Sequence, residues 1–222
     1  MLATMTPAIL AAIAQALGPD WQATNTDSTP FILAYCGPDP DLCHAEIYCI
    51  AERYSLKAGR VAWHAYAHAR EQLHSQASIF LKDILPYNER EKISFEITLT
   101  ASKTPAQQAR ELQRRLLSWY LPLYRRGIVR LREAEAQRAA DNALATALHA
   151  AAYPGDAPRR GTLQLRDSNR SDAAQVWLPN AVRLSVCFSK VTVERLSGLT
   201  DTQALQLMEL LARWCTERTD NA

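Results

Sequence analysis

The chain has 222 residues, of which 48% are apolar and 22% charged, and its formal net charge is +2. This composition excludes a chain that is disordered throughout, a collagen-like repeat and a fibrous protein. The sequence has no run of about 18 apolar residues that would span a membrane, and no basic region precedes the apolar stretch at its N-terminus. We therefore expect a cytoplasmic protein with no membrane partner.

The first predicted element is a helix. Thr6 is suited to the N-cap, Pro7 to the first helical position and Gly18 to the left-handed position after the last turn. The apolar side chains between these signals recur at helical spacing and are Ile9, Leu10, Ile13 and Leu17.

Short apolar runs separated by turn residues follow and predict a small antiparallel meander. The strand candidates are residues 31–35, 45–51 and 60–66. Apolar and polar residues alternate most clearly over Ile93–Thr100, which predicts a strand with one buried face. The stretch from Arg70 to Leu85 fits neither the helical nor the strand period.

A long central helix is predicted next. Thr104, Pro105 and Gln107 form a capping box with proline at the first helical position, and the helical pattern continues to about Ala152. Because a proline inside a helix removes a hydrogen bond and clashes with the preceding turn, Pro122 predicts a kink or break near Trp119–Gly127. The apolar stripe of this helix comprises Leu117, Leu121, Tyr124, Ile128 and Leu131.

Later in the same helix, small residues at Ala140, Ala147 and Ala151 share a stripe with Leu144. Small side chains allow close approach of a second helix. The stripe therefore predicts packing on another helix, either of the same chain or of a second copy in a homodimer.

The region after the helix predicts a linker at residues 153–161, which is rich in proline and glycine. Four strand candidates and a last helix follow, at residues 162–165, 175–178, 182–188, 191–195 and from Thr200 onward. The fold class is α+β, with antiparallel sheet elements, a long kinked central helix and N- and C-terminal helices. We expect domains at 1–152 and 162–222, although the second set of strands is also compatible with completing the first sheet.

Signals of catalysis or cofactor binding are weak. The five cysteines form no CxxC pair, and the GxGxxG, P-loop and GxSxG patterns do not occur. We therefore expect no cofactor. One alternative is a metal-dependent enzyme, since His64, His68 and Glu71 would share a face of a helix.

Charge is segregated along the chain. Residues 1–59 carry six acidic and two basic side chains, whereas residues 105–138, the arginine arm, carry eight arginines and three glutamates. Arg114-Arg115 and Arg125-Arg126 are eleven residues apart, which would align the two pairs on an unbroken helix. Aligned arginines interleaved with aromatic rings can follow a phosphate backbone and stack on bases. The candidate partner-binding residues are Arg110, Arg114, Arg115, Arg125, Arg126, Arg130, Arg132, Trp119 and Tyr120.

The segment Ile93–Arg126, about a sixth of the chain, combines the strand, the Thr104-Pro105 helix start and the run Arg114–Leu117 leading to Pro122 and Tyr124. In this it resembles small uncharacterised proteins encoded by phages and other mobile elements. The resemblance implies an accessory role and no particular reaction, cofactor or active site.

The leading hypothesis is a non-enzymatic accessory protein that binds a partner through the arginine arm. That partner is a protein or a nucleoprotein complex, such as a host defence effector, or nucleic acid directly. The alternatives are the metal-dependent enzyme and a structural protein that self-associates through the alanine stripe. An arm whose charge is neutralised within the molecule, by the acidic first quarter of the chain, is also compatible with the sequence.

Overall fold

The computed structural model describes residues 5–25, 31–50, 59–71, 77–153, 163–166, 173–178, 182–187, 190–195 and 202. The chain packs as two compact units, Met1–Ala134 and Glu135–Ala222. Their boundary lies inside the central helix, whereas the sequence suggested a change of domain at residues 153–161. Among the described residues no helix combines the length and the apolarity of a membrane span.

The first unit contains a five-stranded antiparallel sheet in the order β1-β2-β3-β4-β7. The strands are β1 (Trp21–Asn25), β2 (Phe31–Tyr35), β3 (Glu46–Ile50), β4 (Arg60–Ala65) and β7 (Glu96–Thr100). The predicted meander is confirmed, and β2 has the predicted bounds. β1 was not predicted, because Trp21 and Ala23 offer only two apolar positions in a short segment.

A small hairpin and two short helical turns separate β4 from β7. The hairpin pairs β5 (His68–Arg70) with β6 (Ser78–Phe80), and a 3-10 turn (Leu81–Ile84) and α2 (Tyr87–Arg90) follow. Strands of three residues are too short to show a period, which explains why the sequence of this region was ambiguous.

The helices of the first unit begin where the capping signals predicted. Thr6 caps α1 (Pro7–Leu17), which ends at Gly18 with φ +117°. Thr104 caps α3 (Pro105–Leu112): its hydroxyl accepts from the Gln107 N–H at 3.3 Å, and its own N–H donates to the Gln107 side chain at 3.0 Å. A π-helical turn (Gln113–Leu117) joins α3 to α4 (Ser118–Ala152).

The central helix is continuous across Pro122 and Gly127, so the predicted break near Trp119–Gly127 is wrong. The irregular turn lies earlier, at Gln113–Leu117. Pro122 is exposed, so water can solvate the Ser118 carbonyl that the proline leaves without a helical donor. Because Arg114 and Arg115 lie in the π-helical turn, their predicted alignment with Arg125 and Arg126 on a regular helix does not apply.

One face of the five-stranded sheet packs against α1, α3 and the first half of α4. The core includes Leu33, Ile47 and Trp63 from the sheet, all with no exposed surface. The predicted stripe of the central helix joins this core through Leu117, Tyr124 and Ile128, which are at most 4% exposed, and through the partly buried Leu121. Leu131, the last residue of the stripe, is also buried.

The second unit contains a separate sheet in the order β11-β10-β9-β8. Its strands are β8 (Leu163–Gln164), β9 (Ala174–Leu178), β10 (Val182–Cys187) and β11 (Lys190–Arg195). They confirm the four predicted strands and do not extend the first sheet. The last part of α4 packs on this sheet through Leu144, Ala145 and Leu148.

This packing differs from the helix–helix contact that the alanine stripe predicted. The partner of α4 in the second unit is a sheet of the same chain, while Ala140 and Ala147 are exposed. A homodimer through the stripe stays a prediction. The predicted C-terminal helix and most of the linker lie outside the described residues.

Candidate functional site

Two arginines of the arm point toward the rest of the first unit. Arg125 pairs with Asp39 in the loop between β2 and β3. Arg132 contacts the Asp41 carboxylate at 2.6 Å and the Glu71 carboxylate at 2.7 Å. We call Arg125 and Arg132 the inner arginines, because acidic residues distant in sequence already occupy them.

These ion pairs shift the pKa values of the side chains that form them. The hydrogen bond from Arg125 lowers the pKa of Asp39, and a second hydrogen bond from the Asp41 N–H acts in the same direction. The hydrogen bond to Glu71 raises the pKa of Arg132, and the bond to Asp41 adds to it. The acidic first quarter of the chain therefore neutralises part of the arm within the molecule.

Tyr120 and Tyr124 lie on the buried side of the same helix. Tyr120 has no exposed surface, and its hydroxyl donates to the Glu46 carbonyl at 3.2 Å. The Tyr124 hydroxyl donates to the His44 carbonyl at 2.9 Å. The prediction that Tyr120 contacts a partner is therefore wrong: the ring belongs to the core. The sequence did contain a signal of this burial, because Tyr120 lies at helical spacing from Leu117 and Tyr124 of the apolar stripe.

Trp119 is half-buried and also serves the fold. Its ring packs edge-on against Phe95 with centroids 5.3 Å apart, and its indole N–H donates to the Arg115 carbonyl at 3.0 Å. The Ser118 hydroxyl donates to the neighbouring Arg114 carbonyl at 2.9 Å. The two side chains thus bond to carbonyls of the π-helical turn, and the indole is held against the protein rather than displayed as a stacking platform.

Three cations surround one carboxylate at the start of the central helix, and a fourth precedes it in the chain. Glu111 lies 3.4 Å from Lys103, 3.0 Å from Arg114 and 3.8 Å from Arg115. Arg110 adjoins Glu111 in the chain, is exposed, and has no ion pair among the described residues. We call Lys103, Arg110, Arg114 and Arg115 the basic cluster.

Glu111 is shared by several donors and cannot neutralise them all. The hydrogen bond from Arg114 lowers the pKa of Glu111, so this carboxylate stays ionised near neutral pH. The Arg114 side chain is nevertheless 69% exposed. The basic cluster therefore presents a surplus of positive charge to solvent.

Further along α4 a groove of about 390 Å³ opens beside the 3-10 turn. We call it the arginine groove, and its lining residues are Ile84, Arg125, Arg126, Val129, Arg130 and Glu133. Arg126 has no ion pair among the described residues, and Arg130 pairs with Glu133 at 3.1 Å with both side chains well exposed. An exposed pair of this kind contributes about 0–1 kcal/mol and exchanges readily with another anion.

The alternative metal residues have separate surroundings. His64 stacks on Tyr48 with centroids 5.2 Å apart, and its Nδ1 lies 3.7 Å from a Glu96 oxygen. His68 packs against Phe80 with centroids 5.2 Å apart, and Glu71 pairs with Arg132. Across the part of the chain that the structure describes, no three His, Cys, Asp or Glu side chains form a group able to hold a metal ion.

The described cysteines of the first unit fall into two kinds. Cys49 is a small buried core residue, and burial raises the pKa of its thiol to about 12, so the thiolate is not accessible near neutral pH. Cys36 and Cys43 are exposed thiols on the loop between β2 and β3.

The sequence contains a second group of basic residues in and after the linker, of which the structure describes only Arg166. Arg166 is paired at 2.5 Å with Asp141, a carboxylate with no exposed surface, while Arg159, Arg160 and Arg170 lie outside the described residues. Arg166 also donates its N–H to the Asn142 side chain at 2.7 Å. It therefore holds the second unit together instead of facing a partner.

The sequence did not identify Ile84, Val129 or Lys103 as site residues. The sequence did contain a signal for Val129, because it is an apolar residue that falls outside the stripe of its own helix, and in the structure it is 44% exposed.

Comparisons with models of protein families, with curated proteins and with solved structures find no match for this chain.

Proposed function

We propose that this protein is a non-enzymatic accessory protein that binds nucleic acid, alone or within a nucleoprotein complex, through the basic cluster. The observation that carries the proposal is the excess of positive charge in the basic cluster. Lys103, Arg114 and Arg115 share the single carboxylate of Glu111, and the exposed Arg110 has no ion pair among the described residues. Arginine forks match the geometry of phosphate oxygens and donate paired hydrogen bonds to them.

The contact is to the phosphate backbone and does not read base sequence. Tyr120 is buried and Trp119 is held against Phe95, so the cluster has no free ring on which a base would stack. Binding by cations alone releases counterions, and its affinity falls steeply as salt increases. The proposal therefore includes weak dependence on nucleotide sequence and strong dependence on ionic strength.

The biological setting is part of the same proposal. An accessory role for a phage or mobile element, acting in the cytoplasm on a host nucleoprotein such as a defence effector, rests on the resemblance of Ile93–Arg126. A protein that binds the phosphates of the nucleic acid in such a complex needs no cofactor and no catalytic group.

Fluorescence anisotropy with labelled duplex DNA, single-stranded DNA and RNA tests the proposal. The double variant R110Q/R114Q removes two exposed charges while keeping residues that favour helix. If each arginine contacts one phosphate, the slope of log affinity against log salt falls by about 2.

The matched control is R60Q/K92Q, which removes two exposed cations that lie outside the arginine arm. It should retain the wild-type salt slope. Absence of binding to all three nucleic acids, or equal binding by wild type and R110Q/R114Q, contradicts the proposed function.

A further inference from the structure

The arginine groove is distinct from the basic cluster in both composition and position. Its lining combines an exposed apolar side chain with cationic ones. Val129 is 44% exposed, Arg126 lies three residues before it on α4, and Arg130 directly follows it. Val129 is one of four large apolar side chains in the described residues that are strongly exposed. Another is Tyr87, 80% exposed, in the short helix that follows the 3-10 turn.

The wall opposite α4 packs closely against the helix. Gly127 lets the 3-10 turn approach the helix, because a Cβ added there would stand 2.6 Å from Leu81 Cδ2 and 2.7 Å from Ala69 Cβ. Leu81 fills this space with no exposed surface. Ile84, at the end of the same turn, lines the groove.

Arg90 stabilises the segment that carries Tyr87. Its guanidinium donates to the Leu85 carbonyl at 3.1 Å and to the Asp83 carbonyl at 3.1 Å. A surface that is ordered before binding loses less entropy when a partner docks. Tyrosine and arginine are also the residue types that most often dominate protein interfaces.

The charge pattern of the lining favours a protein segment over nucleic acid. Glu133 lies seven residues from Arg126, about 10 Å along the helix. A phosphate backbone repeats its charge at every nucleotide and would meet this carboxylate, whereas a peptide can carry acidic residues at one end and none at the other. Exposed Val129 likewise offers an aliphatic contact that a phosphate cannot use.

The geometry points to the arginine groove as the docking site for an acidic segment of a partner protein, with an apolar side chain seated on Val129 and carboxylates paired with Arg126 and Arg130. This surface is independent of the proposed nucleic-acid contact. Together the two surfaces fit a nucleoprotein partner, whose protein component would occupy the groove.

The test measures the binding of three labelled peptides by fluorescence anisotropy. The first combines glutamates with leucine and phenylalanine, the second replaces its apolar residues with serine, and the third replaces its glutamates with lysine. We expect the first alone to bind, with an affinity in the range of about 10 to 500 μM that is typical of a short peptide in a small groove.

V129S and R126Q should each weaken binding of the first peptide by about threefold to tenfold. L165S, at another strongly exposed apolar residue, and R60Q are matched controls and should change nothing. R110Q/R114Q should also bind the peptide normally, which separates this inference from the proposed function.

Four results would overturn the inference. They are no binding of the acidic apolar peptide at about 1 mM, equal binding of its serine version, equal binding by V129S, and displacement of the peptide by single-stranded DNA from the groove in the R110Q/R114Q background.

Discussion

The arginines of the central helix differ in what already contacts them. Asp39 lies 86 residues from Arg125 and Asp41 lies 91 residues from Arg132, so local spacing could not reveal these pairs. All seven arginines that the sequence analysis named as candidate partner-binding residues are exposed. Which of the exposed charges are neutralised depends on how the β2–β3 loop packs, and that is a property of the tertiary structure.

Acid should remove the Asp39–Arg125 contact. The pKa of Asp39 is lowered from 3.8, mainly by the hydrogen bond from Arg125. A carboxyl whose pKa is lower in the folded state stabilises the fold above its unfolded pKa, and this stabilisation is lost as the pH falls through the folded value. Urea unfolding between about pH 6 and about pH 2.5 should therefore show a smaller acid-induced loss of stability in R125Q than in wild type.

Glu111 provides the comparison for this measurement, because its pKa is lowered in the same direction by Arg114. R125Q should leave the Glu111 contribution intact, so some acid sensitivity remains. An R125Q profile parallel to that of wild type over the whole acid range would show that the pair does not contribute.

The Tyr124 hydroxyl is predicted to stabilise the first unit. It donates to the His44 carbonyl at 2.9 Å and accepts from the Arg70 N–H at 3.4 Å. Y124F leaves these backbone groups without their partner, which should cost about 1–3 kcal/mol of the free energy of unfolding. Urea denaturation measures the loss, and Y87F, at a tyrosine that is 80% exposed, should stay within about 0.5 kcal/mol of wild type.

At the scale of elements, local signals predicted the starts of helices better than their irregularities. Thr6 and Thr104 are N-caps in the structure, since a cap depends on residues within one turn. Of the two outcomes predicted at Pro122, a kink or a break, the break does not occur, because the packing of Tyr120, Tyr124 and Ile128 on the core stabilises the helix on both sides of it. Tertiary packing outweighed the local penalty.

The role of Gly127 could not be predicted from its neighbours in sequence, since glycine is unfavourable inside a helix. Its reason is the close approach of Leu81 and Ala69. G127A would gain about 1 kcal/mol from helix propensity but lose about 1–3 kcal/mol from overpacking, since the Ala69 Cβ cannot rotate away. We expect a net loss of stability of about 1 kcal/mol.

Urea unfolding of G127A also bears on the arginine groove, which the same contact shapes. The acidic peptide should bind G127A less tightly than wild type, because Ile84 moves with the 3-10 turn. A G127A protein more stable than wild type would mean that α4 and the 3-10 turn do not pack as closely as described.

At the scale of the whole molecule, the net charge of +2 results from acidic and basic regions that largely cancel. The acidic first quarter of the chain supplies Asp39 and Asp41 to the inner arginines, while the basic cluster keeps a surplus of positive charge exposed to solvent. The sequence predicted the segregation of charge. It could not predict the division of the arm, because that required knowing which arginines meet carboxylates across the fold.

A comparison of two double variants tests this division most directly. R110Q/R114Q and R125Q/R132Q remove the same number of arginines from one helix, and each is assayed for urea stability and for the salt dependence of nucleic-acid binding. We predict that R110Q/R114Q lowers the salt slope by about 2 with little change in stability, whereas R125Q/R132Q lowers stability and retains the salt slope. Equal effects of both variants on both quantities would contradict the account.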